Sequence, residues 1–357
     1  MLLKLLLAAD RRRIESQVIS LSARGPMQEQ FQAAGIPVLA LGMPPSRPNW
    51  KGLARLLLTT TNGSWRPDLI QGWMYHGNLA AQLAGTLLSA PVLWNIRHTL
   101  NAFHEESPHT ALMIRLGAWL SGLPDAIVCN SHTSYRMHVA LGYRDRPWTI
   151  LPNGFELDRF RPDPTARAAV RAELGIATQA LVVGLVARYH PVKDHATFLK
   201  AAAQVAQVHP GVRILLIGPG VDQGNVDLVQ QAKRLGLTDR IMLLGARRDL
   251  PALTNALDVA VSSSKSEAFS NALGEALACG IPCVATDVGE SRTLVGDSGR
   301  IVPPGNAGAM ASALDELLQV GEATRRELGE AGRLRLGRDF SMARVAESYQ
   351  EFYESFF

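Results

Sequence analysis

Short apolar runs alternate with longer helical stretches along the whole chain, and this alternation is what most constrains its fold. The short runs are rich in Val, Ile and Leu and are continuously apolar. Such runs are typical of strands in parallel sheets that are covered on both faces. We therefore predict an α/β protein with strands over residues 17–23, 36–42, 68–73, 92–96, 126–130, 148–151, 181–187, 212–218, 240–245, 258–262, 281–286 and 299–302.

The strands and helices form two successive series, which favours two doubly wound domains. A length of 357 residues agrees with this, since one domain takes roughly 150 residues. The segment 152–166 carries Asn-Gly, Arg-Pro and Asp-Pro-Thr, which break regular structure. We predict domains over 1–160 and 161–340, with a terminal helix over 341–357 that packs back across them.

Composition and charge exclude several classes of protein. With 47% hydrophobic and 19% charged residues, the chain is neither disordered nor fibrous, and no apolar run approaches the ~20 residues of a membrane span. Residues 1–165 hold 16 basic and 11 acidic side chains. This excess is too weak for duplex DNA, and it suits an anionic membrane face, phosphorylated ligands or a solvated Arg-rich surface.

The cysteines and the first residues indicate the compartment. Cys129, Cys279 and Cys283 imply no disulfide framework and complete no metal site, so we expect reduced thiols and a cytoplasmic protein. The first apolar run is interrupted by Lys4 and followed by basic residues, unlike a signal peptide. We predict an amphipathic helix over residues 2–13 that ends in three arginines.

The densest cluster of functional candidates follows the predicted strand 258–262. A helix starting near Ser270 or Asn271 would offer free backbone N–H groups, which form an anion site. Glu267 and Glu275 would lie about 12 Å apart if both were helical, a span that suits a ligand with a central phosphate and hydroxyls at both ends. A solvent-facing helix is an equal alternative for Glu275 and a weaker one for Glu267.

A second cluster, Arg188 and Lys193, follows a buried strand and precedes a helix. Open α/β sheets bind ligands at this carboxyl edge, where Arg and Lys can clamp a diphosphate. An ordinary surface loop is the alternative. His190 and His195 show no metal-ligand spacing and are expected to be ordinary surface residues.

Together these clusters resemble glycosyltransferase family 4, whose members are retaining enzymes of the GT-B fold. The resemblance is carried by an ordered set of motifs: Asn153-Gly154 with Asp158 and Phe160, then Arg188 and Lys193, then Glu267 and Glu275, with support from 280–289 and 302–305. It is strong over 141–305 and loose in the first domain. It implies two Rossmann-like domains whose parallel sheets face a cleft.

The resemblance also implies roles for individual residues. Arg188 and Lys193 would hold the donor diphosphate, Glu267 the transferred sugar and Glu275 the ribose hydroxyls, while His98 would lie near the sugar as a further catalytic residue. Donor contacts are expected from Phe269, Ser270, Asn271, Ala272, Leu273, Gly245 and Arg247. Acceptor-side contacts are expected from Arg97, His76 and Asn153.

These roles predict transfer of a sugar from a nucleotide-diphosphate sugar to a sugar or lipid-linked acceptor, in the synthesis of surface polysaccharide, lipopolysaccharide or glycolipid. We expect no metal, since two cations and a helix start neutralise the diphosphate, no other cofactor and no nucleic acid. We expect a location in the cytoplasm with peripheral contact at the inner membrane face. Loops 43–49 and 99–110 would set the acceptor.

One departure from the family opens two alternatives. Family members begin with a strand and a glycine-rich loop, whereas this sequence begins with the predicted helix. We expect Met1 to be an internal start that omits roughly 15–20 residues, and an in-frame stop immediately upstream would contradict this. A donor-binding but catalytically impaired protein and a sugar-nucleotide epimerase are the alternatives to an active transferase.

Overall fold

The computed structural model divides the chain into two compact units. One comprises Met1–Gly154 with Met342–Phe357, and the other comprises Phe155–Ser341. The structure describes residues 1–23, 25–44, 52, 54–56, 58, 66–101, 103, 106–145 and 148–357. Most of loop 43–49 and residues 102, 104 and 105 of loop 99–110, where the sequence places acceptor specificity, lie outside these residues.

The second unit is built on a six-stranded parallel sheet. Its strands are β7 (Val182–Val186), β8 (Arg213–Ile217), β9 (Ile241–Leu243), β10 (Val259–Ser262), β11 (Cys283–Thr286) and β12 (Gly299–Val302). Their order across the sheet is β12-β11-β10-β7-β8-β9. The chain therefore enters at β7, moves outward through β8 and β9, and returns to β10 on the other side of β7.

Helices join these strands, as parallel pairing requires, and further helices precede and follow the sheet. They are α6 (Pro164–Glu173), α7 (His195–Val208), α8 (Val226–Arg234), α9 (Leu250–Asn255), α10 (Asn271–Ala278), α11 (Ser291–Val295), α12 (Ala307–Gln319) and α13 (Glu322–Phe340). A single 3-10 turn, Pro191–Lys193, precedes α7.

Both faces of this sheet are buried. Val183 and Leu185 of β7 pack into one hydrophobic cluster with Phe198 of α7, while Val182 packs into a second cluster with Leu277 of α10. Successive residues of one strand thus enter different cores, which requires apolar residues on both sides. The prediction of parallel sheets covered on both faces is confirmed.

Within its described residues, the first unit contains two parallel sheets. Strands β1 (Val18–Ser22) and β2 (Val38–Met43) pair with each other. Strands β3 (Ile70–Trp73), β4 (Val92–Ile96), β5 (Ala126–Cys129) and β6 (Trp148–Ile150) pair in chain order. The described helices of this unit include α1 (Leu2–Ala8), α2 (Pro26–Ala33), α3 (Met74–Leu88), α4 (Pro108–Leu120), α5 (His132–Ala140) and α14 (Met342–Glu354).

A cavity of about 900 Å³ lies within the first unit. Residues of β1, including Val18 and Ile19, and residues of β3, including Ile70 and Gln71, line the same space. The expected additional first strand stays a prediction.

The first helix is shorter than predicted. It ends at Ala8, because the Asp10 carboxylate accepts hydrogen bonds from the backbone N–H and the guanidinium of Arg12. Such local side-chain bonding competes with helical backbone bonding. The prediction that the helix continues to Arg13 is therefore wrong.

The terminal helix α14 belongs to the first unit, where Val345 and Tyr349 pack against Leu5 and Val128. All three cysteines are buried and unpaired with one another. Across the described residues, none of the helices combines the length and hydrophobicity that crossing a membrane would need.

Candidate functional site

The site in the second unit lies where the strand order reverses. Strands β7 and β10 are neighbours, although the chain visits β8 and β9 between them. Loops that leave two such strands diverge at their carboxyl ends and open a crevice for ligands. Arg188 and Lys193 follow β7, and Glu267 follows β10. The topology therefore places the predicted donor-binding residues at one switch point.

The start of the loop after β7 packs closely against the residue that follows β8. Gly218 has φ +152°, and a Cβ atom there would stand 2.2 Å from the carbonyl oxygen of Ala187. Further along, Asp194 adopts the left-handed conformation and caps helix α7, its carboxylate accepting from Thr197 N and Oγ1. These constraints fix the ends of the segment that carries Arg188 and Lys193.

Serine hydroxyls join the two loops. Ser263 Oγ donates to the Lys193 carbonyl over 2.8 Å, and Ser264 Oγ donates to Glu267 Oε1 over 2.8 Å. The ammonium of Lys193 donates to the same Glu267 oxygen. Thr286 Oγ1 of β11 donates to the Ser264 carbonyl over 2.6 Å. Lys193 and Glu267, 74 positions apart, are thus brought into contact.

Arg188 lies in the same loop as Lys193, after strand β7. Among the residues that the structure describes, its guanidinium has no hydrogen-bond or ion-pair partner. The site therefore combines a neutralised Lys–Glu pair with one cation that is available to an anion.

Helix α10 begins at Asn271, and the Ser270 side chain accepts from Leu273 N. The predicted helix start is therefore present, and anion binding by its backbone N–H groups stays a prediction. Glu267 lies in the loop before it, so the spacing of about 12 Å, which required both glutamates to be helical, does not apply to Glu267 and Glu275. The side chains of Phe269 and Leu273 are buried in the core, which leaves only their backbone for a ligand. Ala272 is partly buried.

Two glycines fix the position of this loop and helix. Gly289 has φ +55°, and a Cβ atom there would stand 2.1 Å from the Glu267 carbonyl. A Cβ atom on Gly274 would stand 2.0 Å from the ring of Phe155. Both close approaches hold the Glu267 backbone and the start of α10 in place.

The residues predicted to border the base have other partners. Arg247 donates to both carboxylate oxygens of Asp249 over 2.8 and 2.6 Å and to Glu173 over 3.1 Å. Asp249, followed by Glu173, raises the pKa of Arg247 above its ordinary value. Gly245 has φ +65°, and its carbonyl accepts from Gly218 N over 2.8 Å.

In the first unit, the side chains of Arg97 and Asn153 form hydrogen bonds with each other and with neighbouring side chains. The Arg97 guanidinium donates to Asn153 Oδ1 and to the hydroxyl of Tyr349, and it lies 5.0 Å from the centre of the Trp73 ring. Asn153 also accepts from Asn130 Nδ2 over 3.3 Å. These contacts attach helix α14 to the sheet edge, so both acceptor-side assignments stay predictions.

His76, predicted as an acceptor-side residue, lies on helix α3, which begins at Met74. Its ring stacks on His109, with ring centres 5.3 Å apart. Burial lowers the pKa of His76, and His109 acts in the same direction.

His98 lies in a network that sequence reasoning missed. Its Nδ1 is 3.3 Å from the hydroxyl of Tyr75, and its Nε2 is 3.2 Å from Glu106 Oε1. The Tyr75 hydroxyl is also 2.9 Å from Nε2 of His138. Ser264 was missed as well, although its place three residues before Glu267 was a usable signal.

Two family models match the chain. "Glycosyl transferase 4-like domain" matches residues 2–154, and "Glycosyl transferases group 1" matches residues 180–320. The chain belongs to the group 1 glycosyltransferase family. No cluster of three or more His, Cys, Asp or Glu that could hold a metal occurs within the described residues of the chain.

Curated relatives resemble the chain over part of their length. A D-inositol 3-phosphate glycosyltransferase of Segniliparus rotundus is 30% identical over 298 residues, covering 80% of this chain and 65% of the relative. The putative glycosyltransferase EpsF of Bacillus subtilis is 28% identical, covering 54% of this chain and 61% of the relative. The chain thus spans less than two thirds of these relatives.

Solved structures agree with the fold. Anabaena Alr3699/HepE, in complex with UDP and glucose, has a TM-score of 0.85 at 23% identity, covering 99% of this chain and 95% of that one. WaaG, a glycosyltransferase involved in lipopolysaccharide biosynthesis, has a TM-score of 0.74 at 16% identity, covering 98% and 94%. The chain has the two-domain GT-B fold.

Proposed function

We propose that the chain transfers a sugar, with retention of anomeric configuration, from a nucleotide-diphosphate sugar to an acceptor hydroxyl. One observation carries the proposal: Lys193 and Glu267 meet at the switch point of the second unit. An Arg without a partner in the described chain lies in the same loop as this Lys, and a capped helix start follows this Glu. Cations and free amides suit a diphosphate, and a carboxylate suits sugar hydroxyls.

The residues would act mainly by electrostatics. The bond from the anomeric carbon to the diphosphate oxygen breaks, and its electron pair leaves with the diphosphate. Arg188, Lys193 and the start of α10 stabilise that charge. The acceptor oxygen bonds to the anomeric carbon from the same face, and its proton passes to the departing diphosphate. Glu267 accepts hydrogen bonds from the transferred sugar, and Glu275 from the ribose.

The finer assignments rest on the relatives. HepE has been solved with UDP, with UDP and glucose, and with UDP-glucose, which makes UDP-sugars the donor class to test first. WaaG acts in lipopolysaccharide biosynthesis, and we infer a similar place in surface polysaccharide or glycolipid synthesis. The basic first 165 residues favour peripheral contact with an anionic cytoplasmic membrane face.

The proposal is tested by incubating the full chain with a panel of nucleotide sugars and sugar or lipid-linked acceptors. Lys193→Ala and Glu267→Ala are compared with the exposed controls Lys233→Ala and Glu327→Ala. We expect transfer to fall by roughly 10²–10³ in the first pair and to be unchanged in the controls. Transfer should also persist in EDTA, since protein cations neutralise the diphosphate.

Each alternative has its own signature in this assay. A thermal shift with nucleotide sugars but no hydrolysis or transfer would identify a catalytically impaired donor-binding protein. Inversion of a donor hydroxyl would identify an epimerase. Full activity in both Lys193→Ala and Glu267→Ala would refute the site itself.

A further inference from the structure

A chain of hydrogen bonds in the first unit determines where His98 carries its protons. Its first member is His138, whose Nδ1 is 2.7 Å from the carbonyl oxygen of Ser134. A carbonyl only accepts, so Nδ1 of His138 carries a proton. His138 is fully buried, and burial lowers its pKa to about 4. The ring is therefore neutral near pH 7, and its Nε2 is an acceptor.

The direction of the next two bonds follows. The Tyr75 hydroxyl, 2.9 Å from Nε2 of His138, must donate there. Burial raises the pKa of Tyr75 further above its ordinary value, so it keeps this proton. A hydroxyl has a single hydrogen. Toward His98 Nδ1, at 3.3 Å, the Tyr75 oxygen can only accept, and His98 Nδ1 must carry a proton.

The last contact then requires one more proton. A neutral His98 with its proton on Nδ1 presents a bare Nε2, and Glu106 Oε1 lies 3.2 Å from it. Two acceptors at this distance need a hydrogen between them. One proton therefore lies between His98 Nε2 and Glu106, and the pair carries no net charge whichever atom holds it.

We propose that Glu106 is a positioning residue that holds a proton at His98 Nε2, while Tyr75 fixes the opposite side of the ring. Both ring nitrogens of His98 are then engaged, Nδ1 with Tyr75 and Nε2 with Glu106, so an incoming sugar hydroxyl would accept the Nε2 proton in place of the Glu106 carboxylate, at the carboxyl edge of the four-stranded sheet. This deepens the proposed function, on which the sugar ligand rests. The His98 side chain is 35% exposed and that of Glu106 is 23% exposed, so both are reachable.

The groups that face His98 are few within the described residues. Glu106 faces Nε2, Tyr75 faces Nδ1, and His138 lies behind Tyr75, its ring stacked on that of Tyr75 at 5.9 Å. Burial lowers the pKa of His98, while Glu106 acts in the opposite direction. Removal of the Glu106 charge therefore leaves burial unopposed, and the pKa of His98 should fall.

The test reads the His98 ring nitrogens directly by ¹⁵N NMR of the histidine-labelled full chain during a pH titration, without substrate. In the unaltered protein we expect a protonated Nδ1 near pH 7. Glu106→Gln should lower the pKa of His98 further below its ordinary value, since the Gln amide donates to a bare Nε2. Tyr75→Phe should move the proton of the neutral ring to Nε2. Glu351→Gln, exposed on helix α14, is the matched control.

The result that overturns the proposal is a neutral His98 with its proton on Nε2 in the unaltered protein. A His98 titration in Glu106→Gln equal to that of the control would overturn it too. This readout needs no transfer activity, so its failure is separate from failure of the proposed function. If transfer is present, Glu106→Gln should shift the pH profile of kcat in the same direction, and Glu106→Asp should restore part of it.

Discussion

Asp258 joins the starts of the two strands that carry the candidate site, and its removal should destabilise the second unit. The residue precedes β10, and its carboxylate accepts from the backbone N–H of Val182, the first residue of β7, over 2.7 Å. It also accepts from Arg167 over 2.6 Å and from Arg171 over 2.8 Å. The side chains of Arg171 and Asp258 are 5% and 8% exposed.

Asp258→Ala leaves the buried Arg171 without its counter-charge. Breaking a buried ion pair costs about 3–5 kcal/mol. Arg171 keeps the carbonyls of Ala256, Thr178 and Ala180 as acceptors, which places the loss of unfolding free energy near the lower end, at about 3 kcal/mol. For a domain of 150–250 residues this lowers Tm by roughly 6–12 °C.

Calorimetry of the full chain and urea unfolding measure this loss. Asp258→Asn keeps an acceptor for Val182 N–H and should lose roughly half as much as Asp258→Ala. Asp239→Ala, an exposed residue of the same unit, is the matched control. An Asp258→Ala variant within 1 kcal/mol of that control would refute the reasoning.

Three further predictions concern stability. Gly274→Ala should lower the free energy of unfolding by about 1–3 kcal/mol, since its Cβ meets the Phe155 ring. Gly308→Ala, whose Cβ would meet no atom closer than 3.6 Å, should raise it by up to about 1 kcal/mol, and equal melting temperatures of the two variants would contradict this. The pKa of buried His138 is lowered to about 4 from about 6.5 when unfolded, so the native state binds fewer protons. The free energy of unfolding should therefore fall by about 3 kcal/mol as the pH is lowered from 6.5 to 4. In urea titrations, His138→Gln should remove this pH dependence. Arg97→Leu should speed amide exchange in helix α14, and unchanged exchange would show that its contacts to Tyr349 do not hold the helix.

The strands could be predicted because burial acts on them from both sides. Val182 and Val183 face different cores, so neither can be polar, and the apolar run itself marks the strand. The same holds for Leu215 and Leu216 of β8. Helix ends are less predictable, because a single polar side chain decides them. Asp10 ends the first helix by bonding to Arg12, which hydrophobic periodicity does not reveal.

The candidate site was predictable only as far as it follows from topology. Arg188, Lys193 and Glu267 follow strand ends, and parallel sheets collect strand ends at one edge. The contacts among them depend on Ser263 and Ser264, whose bonds need three-dimensional coordinates.

The network around His98 was out of reach of sequence reasoning for the same reason. Tyr75, Glu106 and His138 come from separate segments, and no spacing along the chain relates them. The protonation of His98 depends on the carbonyl of Ser134, which accepts the first hydrogen bond of the series that ends at His98.

Replacing Glu267 of the Lys193–Glu267 pair should strengthen the binding of UDP, whereas replacing an ordinary binding residue weakens it. Without donor, Glu267 neutralises Lys193, so of the two cations predicted to hold the diphosphate, Arg188 is the one that offers its full charge. Glu267→Gln removes the negative charge and leaves two cations, so UDP should bind roughly tenfold more tightly, about 1.4 kcal/mol after discounting for solvent. Transfer should fall, because the carboxylate that accepts from sugar hydroxyls is lost.

Calorimetric titration with UDP measures the first effect, and Ser264→Ala, which removes a bond to Glu267 without changing charge, is the matched variant. Weaker UDP binding in Glu267→Gln than in Ser264→Ala would mean that Glu267 supports the diphosphate site structurally and does not compete with it for Lys193.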